Sequence, residues 1–515
     1  MNRAAAWARL GALAHGEAQR LDAALADPAA AQRDLLAKLL RCGQASAFGK
    51  VHGLDRIDGP ADFAAAVPIG DYESHRPYID RIAEGASSEL TGDRVVVFEE
   101  TGGTSAGGKL VPYTQGSLDA FRNAVLAWMH ALARRHCAVA EGSFYFTISP
   151  AARPARTTPG GIPIGIADDS GYLGADVIPL FGALMAVPDG LGEITSIDLW
   201  QVATLAALIE AEDLAFLSLW SPTFMVALLG SLPGHADAVR ARLSPSRRRA
   251  IDAALGERID SAALWPRLAC IATWTDGPSA GFARQLQALF PQAIVEGRGL
   301  LATEGAVSLA YGADGACVPA LCSTYLEFMG GDGDPRLAHE LIEGESYRVL
   351  MTTPGGLWRY DIGDIVTCAA MRGGVPDLRF VGRGRITSDM VGEKLEDGFV
   401  ARILGELPFA AQLVARADPP HYALVADYAA DASHWLDHVE TGLRANPQYA
   451  YARRLGQLGE VRLEVCKDRA AQLTREGVAA GKLMGDLKPT ALVPLARAVA
   501  AADPTAGAEP AASLA

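Results

Sequence analysis

The segment Phe98–Tyr113, FEETGGTSAGGKLVPY, holds the residue types that grip a polyphosphate. Glycines let backbone N–H groups approach the oxygens. Thr101, Thr104 and Ser105 add hydroxyl donors, and Lys109 adds a positive charge. Gly103, Gly108 and Lys109 fit the G-x-x-x-x-G-K core of a Walker A loop, but that loop continues with Ser or Thr and then a helix. Here Leu110, Val111 and Pro112 follow, and Pro112 biases Val111 toward extended geometry. The sequence predicts a strand after the loop. What precedes it is a phosphate loop of another class, or a plain Gly/Ser turn between strands.

Four groups downstream have types that such a loop needs as partners. Glu304, in Ala302-Thr303-Glu304-Gly305, follows a predicted strand. Magnesium often takes one or two protein carboxylates beside substrate phosphates, so Glu304 suits that ion. The same residues also suit a helix start, with Thr303 as cap. Asp364, after Gly363, is placed at a strand boundary to accept both ribose hydroxyls of a nucleotide, or else to make a turn. Arg383, in Gly382-Arg383-Gly384-Arg385, suits a hinge that touches phosphate or ribose, or an ordinary basic linker. Lys488 by itself reads as a solvated lysine near the C-terminus.

The elements that must position these groups alternate between helix and strand. Apolar spacing predicts helix over 4–40, 118–135 (with Ser117 as N-cap), 199–210 and 281–290. Strands are expected at 95–98, 142–148, 215–219, 268–274, 293–296, 346–352 and 364–369. The arginine-rich stretch 239–259 reads as a solvated helical insertion. This rhythm indicates an α/β fold. The expectation is a large N-terminal unit over 1–383, a smaller α+β unit over 384–499, and a disordered Ala/Pro-rich tail over 500–515.

At 515 residues the chain can build a large core, and half of its residues are hydrophobic. Its 46 basic and 60 acidic residues give a net charge of −14, which argues against nucleic acid as partner. Seven cysteines without C-x-x-C spacing argue against a disulfide framework or a zinc site, and suit the cytoplasm. His130 and His136 read as surface residues. The most apolar stretch, 214–230, is interrupted by Ser218, Ser221, Pro222 and Thr223, so a buried strand, turn and helix are expected there, and no membrane span.

Taken in order, these motifs resemble acyl-adenylate-forming enzymes. Within them the chain is similar to the Gretchen Hagen acyl-acid amido synthetases, over roughly residues 34–492. The likeness is carried by Ala47-Phe48-Gly49-Lys50, Val67-Pro68-Ile69, Thr101 to Ser105 with Lys109 and Pro112, and Thr273-Trp274-Thr275-Asp276-Gly277. Thr303-Glu304-Gly305, Glu327-Phe328, Gly356-Leu357-Trp358-Arg359-Tyr360 and the Asn446, Tyr449, Arg453 spacing complete it. Two departures stand out. Gly102 replaces a serine of the loop, and Asp361 takes a place often held by Arg in plant members, which suggests a bacterial-type subgroup.

The resemblance implies an adenylate-forming fold with a mobile C-terminal domain, and ATP and Mg²⁺ as cofactors. It implies that Thr101, Gly103, Thr104 and Ser105 shape the phosphate loop with Lys109 beside it. Ala302 and Thr303 would lie by adenine and the α-phosphate, and Glu304 would hold Mg²⁺. Tyr360, Asp364 and Arg383 would complete the nucleotide site, with Lys488 entering from the C-terminal domain. The implied substrates are a small carboxylic acid and an amine or amino acid. A thiol acceptor, or a homologue without catalysis, are the other readings.

Overall fold

The computed structural model describes residues 1–101, 109–147, 156–166, 172–384, 386–427, 432–479, 482 and 484–495. The predicted helix over 4–40 is two. Helix α1 (Arg3–Ala26) is capped by Asn2 and buries Ala6, Leu10, Ala14, Ala18 and Leu21 at spacings of three and four. Helix α2 (Pro28–Gly43) starts where Asp27 accepts from Ala30 N, with Pro28 in the first turn. Proline has no N–H for the preceding turn and its φ suits a helix start, so it ends one helix and opens the next.

Strand β1 (Val95–Glu100) pairs antiparallel with β2 (Leu110–Thr114), the strand expected after the glycine loop. Helix α3 (Gln115–Arg135) begins one turn earlier than the sequence suggested. Thr114 is its cap: Ser117 N donates to Thr114 Oγ1 at 3.2 Å, and Thr114 N donates back to Ser117 Oγ at 3.3 Å. Ser117 is thus the third residue of a capping box, not the cap.

A four-stranded parallel sheet forms the centre. Its strands are β3 (Ser143–Phe146), β4 (Leu214–Ser218), β5 (Cys270–Thr273) and β6 (Ile294–Gly297), in that spatial order. Helices α4 (Ile197–Glu210), α5 (Pro222–Gly230) and α7 (Ala280–Leu289) supply its crossovers and bury Trp200, Phe224 and Phe282 around it. The first three strands are buried at every position, as strands covered on both faces require, whereas β6 is a partly exposed edge strand. The stretch expected to be a solvated insertion holds α6 (Pro245–Ala254), where Arg247 is buried and donates to the carbonyls of Ile209 and Leu264. That arginine satisfies an orphan carbonyl at the end of α4 and another at the end of the short helical turn Ser261–Leu264.

After β6 come a tight hairpin, β7 (Leu301–Ala302) with β8 (Gly305–Ala306), and an antiparallel sheet. The sheet's long strands are β9 (Tyr325–Met329), β10 (Ser346–Thr352), β11 (Tyr360–Arg372) and β12 (Val375–Arg383). A second core lies beyond Arg383. Helix α8 (Asp397–Gly405) packs against a sheet of β13 (Ala411–Ala417), β14 (Pro420–Ala426), β15 (Arg462–Val465) and β16 (Leu492–Val493), around Leu413, Tyr422, Leu424 and Leu492. Among the described residues no helix is long and apolar enough to cross a membrane.

Candidate active site

The C-terminal ends of the four parallel strands share one edge, where ligands of open α/β sheets collect. The residues just past those ends meet there. Trp220 and Trp274 have ring centroids 6.2 Å apart, and the Arg298 guanidinium lies 4.1 Å from the Trp220 ring and 5.1 Å from Trp128. Arg298 also donates to Leu219 O at 3.2 Å. Over this edge opens a cleft lined by Trp274, Asp276, Arg298, Asp364, Arg383 and Lys488 among others.

The antiparallel sheet brings Asp364 to it, and the hairpin holds a second carboxylate within electrostatic reach. Thr303 and Glu304 are the two turn residues between β7 and β8, so the alternative of a helix start gives way to a hairpin turn. Tyr113 of β2 donates to Thr303 O at 2.5 Å and fixes that turn against the strand following the glycine loop. Burial raises the Glu304 carboxyl above its ordinary range. Lys488 and Arg383 pull it back down, and Asp364 adds to the rise. These four groups therefore share one electrostatic field. Asp364 is buried within β11, not in a turn, and faces Arg383 across the ladder; Arg383 Nε donates to its Oδ1 at 3.3 Å. Gly363 precedes it with φ +77°, a backbone that glycine adopts without strain.

Lys488 arrives from the second unit, its ammonium 5.4 Å from the Trp274 ring centroid. The flanks of the glycine loop, which are not part of the cleft lining, are joined by Thr101 N donating to Lys109 O at 2.9 Å. The Lys109 ammonium lies 5.3 Å from the ring of Tyr72. Gly103, Thr104 and Ser105, with Gly102, fall outside the described residues. Ala302 is buried in the hairpin. Tyr360 is buried against Val97, Val111, Tyr113 and Leu357, behind the loop's strands and away from the cleft lining.

Several site residues had no assigned role in the sequence reading. Asp276 lines the cleft just past β5; burial raises its carboxyl, with Arg379 opposing. Its signal was the polar Thr-Asp-Gly run at the end of an apolar strand. Arg298 and Asp397 carried no such local mark. His136, expected at the surface, is largely buried. Its Nε2 is 2.8 Å from Glu296 Oε2, and Arg135 donates to Glu296 Oε1 at 2.8 Å. His136, Cys270 and Glu296 come within 4.8 Å of one another, but the Arg135 guanidinium occupies the flank of Glu296 that a cation would need. The Arg359 and Glu327 of the sequence motifs form a buried ion pair at 2.8 Å, and Arg359 also donates to Ala64 O and Val67 O. Asp361 takes up Arg348 at 3.3 Å. All seven cysteines are free.

The residues present fit Mg²⁺ and a nucleotide. A half-buried carboxylate with a raised pKa gains by meeting a dication, and the ion completes its shell from phosphates and water. Residues 17–243 match the model of the GH3 family N-terminal domain, and residues 317–383 match that of the GH3 family central domain. The jasmonoyl–L-amino acid synthetase JAR6 of Nicotiana attenuata is 22% identical over 508 residues, covering 85% of this chain and 86% of its own. The probable indole-3-acetic acid-amido synthetase GH3.12 of Oryza sativa subsp. japonica is 27% identical over 196 residues, a match that spans 33% of this chain and 32% of that protein. The structure of the AtGH3.15 acyl acid amido synthetase in complex with 2,4-DB has a TM-score of 0.79 at 17% identity, covering 92% of each chain. A 2-hydroxyisobutyryl-CoA ligase in the postadenylation state has a TM-score of 0.54 at 11% identity, covering 89% of this chain and 88% of its own. The fold is the adenylate-forming one, with a large N-terminal and a small C-terminal part.

Proposed function

This chain belongs to the GH3 family, and from that premise we propose that it is an ATP-dependent acid–amine ligase. In the first step a carboxylate oxygen attacks the α-phosphorus of ATP, the bond to the β-phosphate oxygen breaks, and pyrophosphate leaves. In the second an amine nitrogen, as in an amino acid, attacks the acyl carbon. The bond to the phosphate oxygen breaks, AMP leaves, and the nitrogen loses its proton.

The observation that carries this reading is that Asp364, Arg383 and Lys488 line one cleft while Glu304 lies within their electrostatic reach. Asp364 accepts the ribose hydroxyls, taking over from Arg383 as its partner. Lys488, held beside Trp274, neutralises charge where acid and α-phosphate meet. Thr101, Gly103, Thr104, Ser105 and Lys109 hold the outer phosphates, and Ala302 and Thr303 border the base. Tyr360 supports the loop from behind. Glu304 would hold Mg²⁺, which polarises phosphoryl oxygens and screens their charge. No protein nucleophile takes part.

The domain division 1–383 and 384–499, with a C-terminal part that turns between the two steps, belongs to the same proposal. So do a cytoplasmic setting, which seven free cysteines suit, and a bacterial-type subgroup marked by Asp361. A thiol acceptor is the second reading, favoured by the fold likeness to a CoA ligase. Pyrophosphate release over a panel of acids, first without and then with amines, is the direct test. Release with amide formation supports the ligase. Consumption of a supplied acyl-adenylate by thiols and not amines would move the assignment to the second reading. No acid-dependent exchange of pyrophosphate into ATP would sink both.

A further inference from the structure

Lys488 has no regular element under it; it follows a single 3₁₀ turn and precedes Pro489. The backbone just after it is pinned at three places. Gln412 Nε2 donates to Thr490 O at 2.7 Å, Leu413 N donates to Ala491 O at 2.8 Å, and Leu492 N donates to Asp397 Oδ1 at 2.9 Å. Asp397 is 2% exposed, is the first residue of α8, and borders the cleft with Arg383 and Lys488. It also stands against the other side of the junction. Its own N–H donates to Ile386 O at 2.9 Å, and a Cβ on Gly382 would lie 3.3 Å from Asp397 Oδ2 and 2.8 Å from Gly398 Cα. The N–H of Arg383 and that of Ala491 face the same carboxylate. One buried anion thus touches both the end of β12, which carries the partner of Asp364, and the strand that follows Lys488.

We propose that Asp397 is a positioning residue that seats Lys488 in the cleft by tying β16 to the end of β12. The proposal rests on the adenylation reading above. When the C-terminal part turns for the second step, the contacts to Ala491 and Leu492 travel with it and the contact to Arg383 is the one that breaks. Asp397 therefore serves the first half-reaction and not the second.

The test uses the full chain with an acid that supports pyrophosphate exchange. Asp397→Asn places an N–H₂ group against backbone N–H donors and is expected to slow exchange about tenfold or more. Acyl transfer from a supplied acyl-adenylate to an amine should stay within about twofold of the parent. Equal loss of both half-reactions would mark plain structural support and overturn the proposal. Because Asp397 acts through Lys488, the double variant Lys488→Ala/Asp397→Asn should exchange no more slowly than Lys488→Ala alone; additive slowing overturns it. Should Asp397→Asn fold poorly, Gly382→Ala wedges the same junction and is expected to give the same split between half-reactions. Full exchange in that variant counts against the tie. Amide hydrogen exchange needs no substrate: at Arg383 and Leu492 it should rise about tenfold in Asp397→Asn. Unchanged protection there overturns the proposal even if the parent shows no adenylation, an outcome that by itself would sink only the functional reading.

Discussion

Glu304 holds its proton more tightly in the folded chain than in the unfolded one, because burial disfavours the carboxylate. Its contribution to stability is therefore full below its ordinary value of 4.5 and is lost as pH rises through the raised one. Glu304→Gln cannot ionise and keeps that contribution. Its Tm advantage over the parent should grow from about pH 4 to about pH 7 in thermal denaturation, while its adenylation rate falls by a few hundredfold, about 3–4 kcal/mol. Parallel Tm curves would show that the burial is not felt. Glu327→Ala makes a different case. It leaves Arg359 buried without its carboxylate, and urea unfolding should register a loss of about 3–5 kcal/mol. Glu304 and Asp364 stood out as candidates in the sequence because each is a carboxylate beside glycine near the end of an apolar run. Asp397 and Arg298 were not, since their partners are backbone groups and rings far along the chain that only the tertiary fold brings near.

Elements were legible where period and punctuation agreed, and less so where pairing decided. Pro112 correctly foretold a strand, and the apolar run 214–230 gave a strand, turn and helix. The expected strand at 364–369 is thirteen residues long and starts at Tyr360, because β10 pairs with its first residues across an irregularity near Arg348 and Leu350. That extension turns Asp364 from a turn residue into a ladder residue opposite Arg383. The geometry depends on Gly363. At φ +77° an alanine there would cost about 1–2 kcal/mol and would displace the carboxylate that follows. Gly363→Ala should unfold at slightly lower urea and show a raised KM for ATP out of proportion to its lost stability. A KM equal to the parent's would mean that Asp364 is positioned from the β12 side alone.

At the scale of the whole molecule, the cleft lies between the central sheet and the C-terminal part, which also touches the central core elsewhere: Ala470 and Met484 pack into the cluster around Trp200 and Phe224. A ligand that spans the cleft should therefore stabilise both parts at once. A non-hydrolysable acyl-adenylate analogue at a hundred times its Kd is expected to add about 2.7 kcal/mol and to protect the stretch after Arg383 from proteolysis. Stabilisation without such protection would place the analogue on the large part alone. The order of motifs made the architecture legible, whereas the docking of the two parts depends on contacts such as Gln285 Nε2 donating to Asp427 that no local pattern announces. The edge of the parallel sheet has a further consequence. Trp220 and Trp274 stand one or two residues beyond strands whose own side chains are sealed in the core, and Arg298 stands just past the partly exposed edge strand, so the rim of the cleft is separable from the scaffold that folds. On the function proposed above, a lineage could exchange these few rim residues and acquire a new acid while inheriting the same nucleotide chemistry intact.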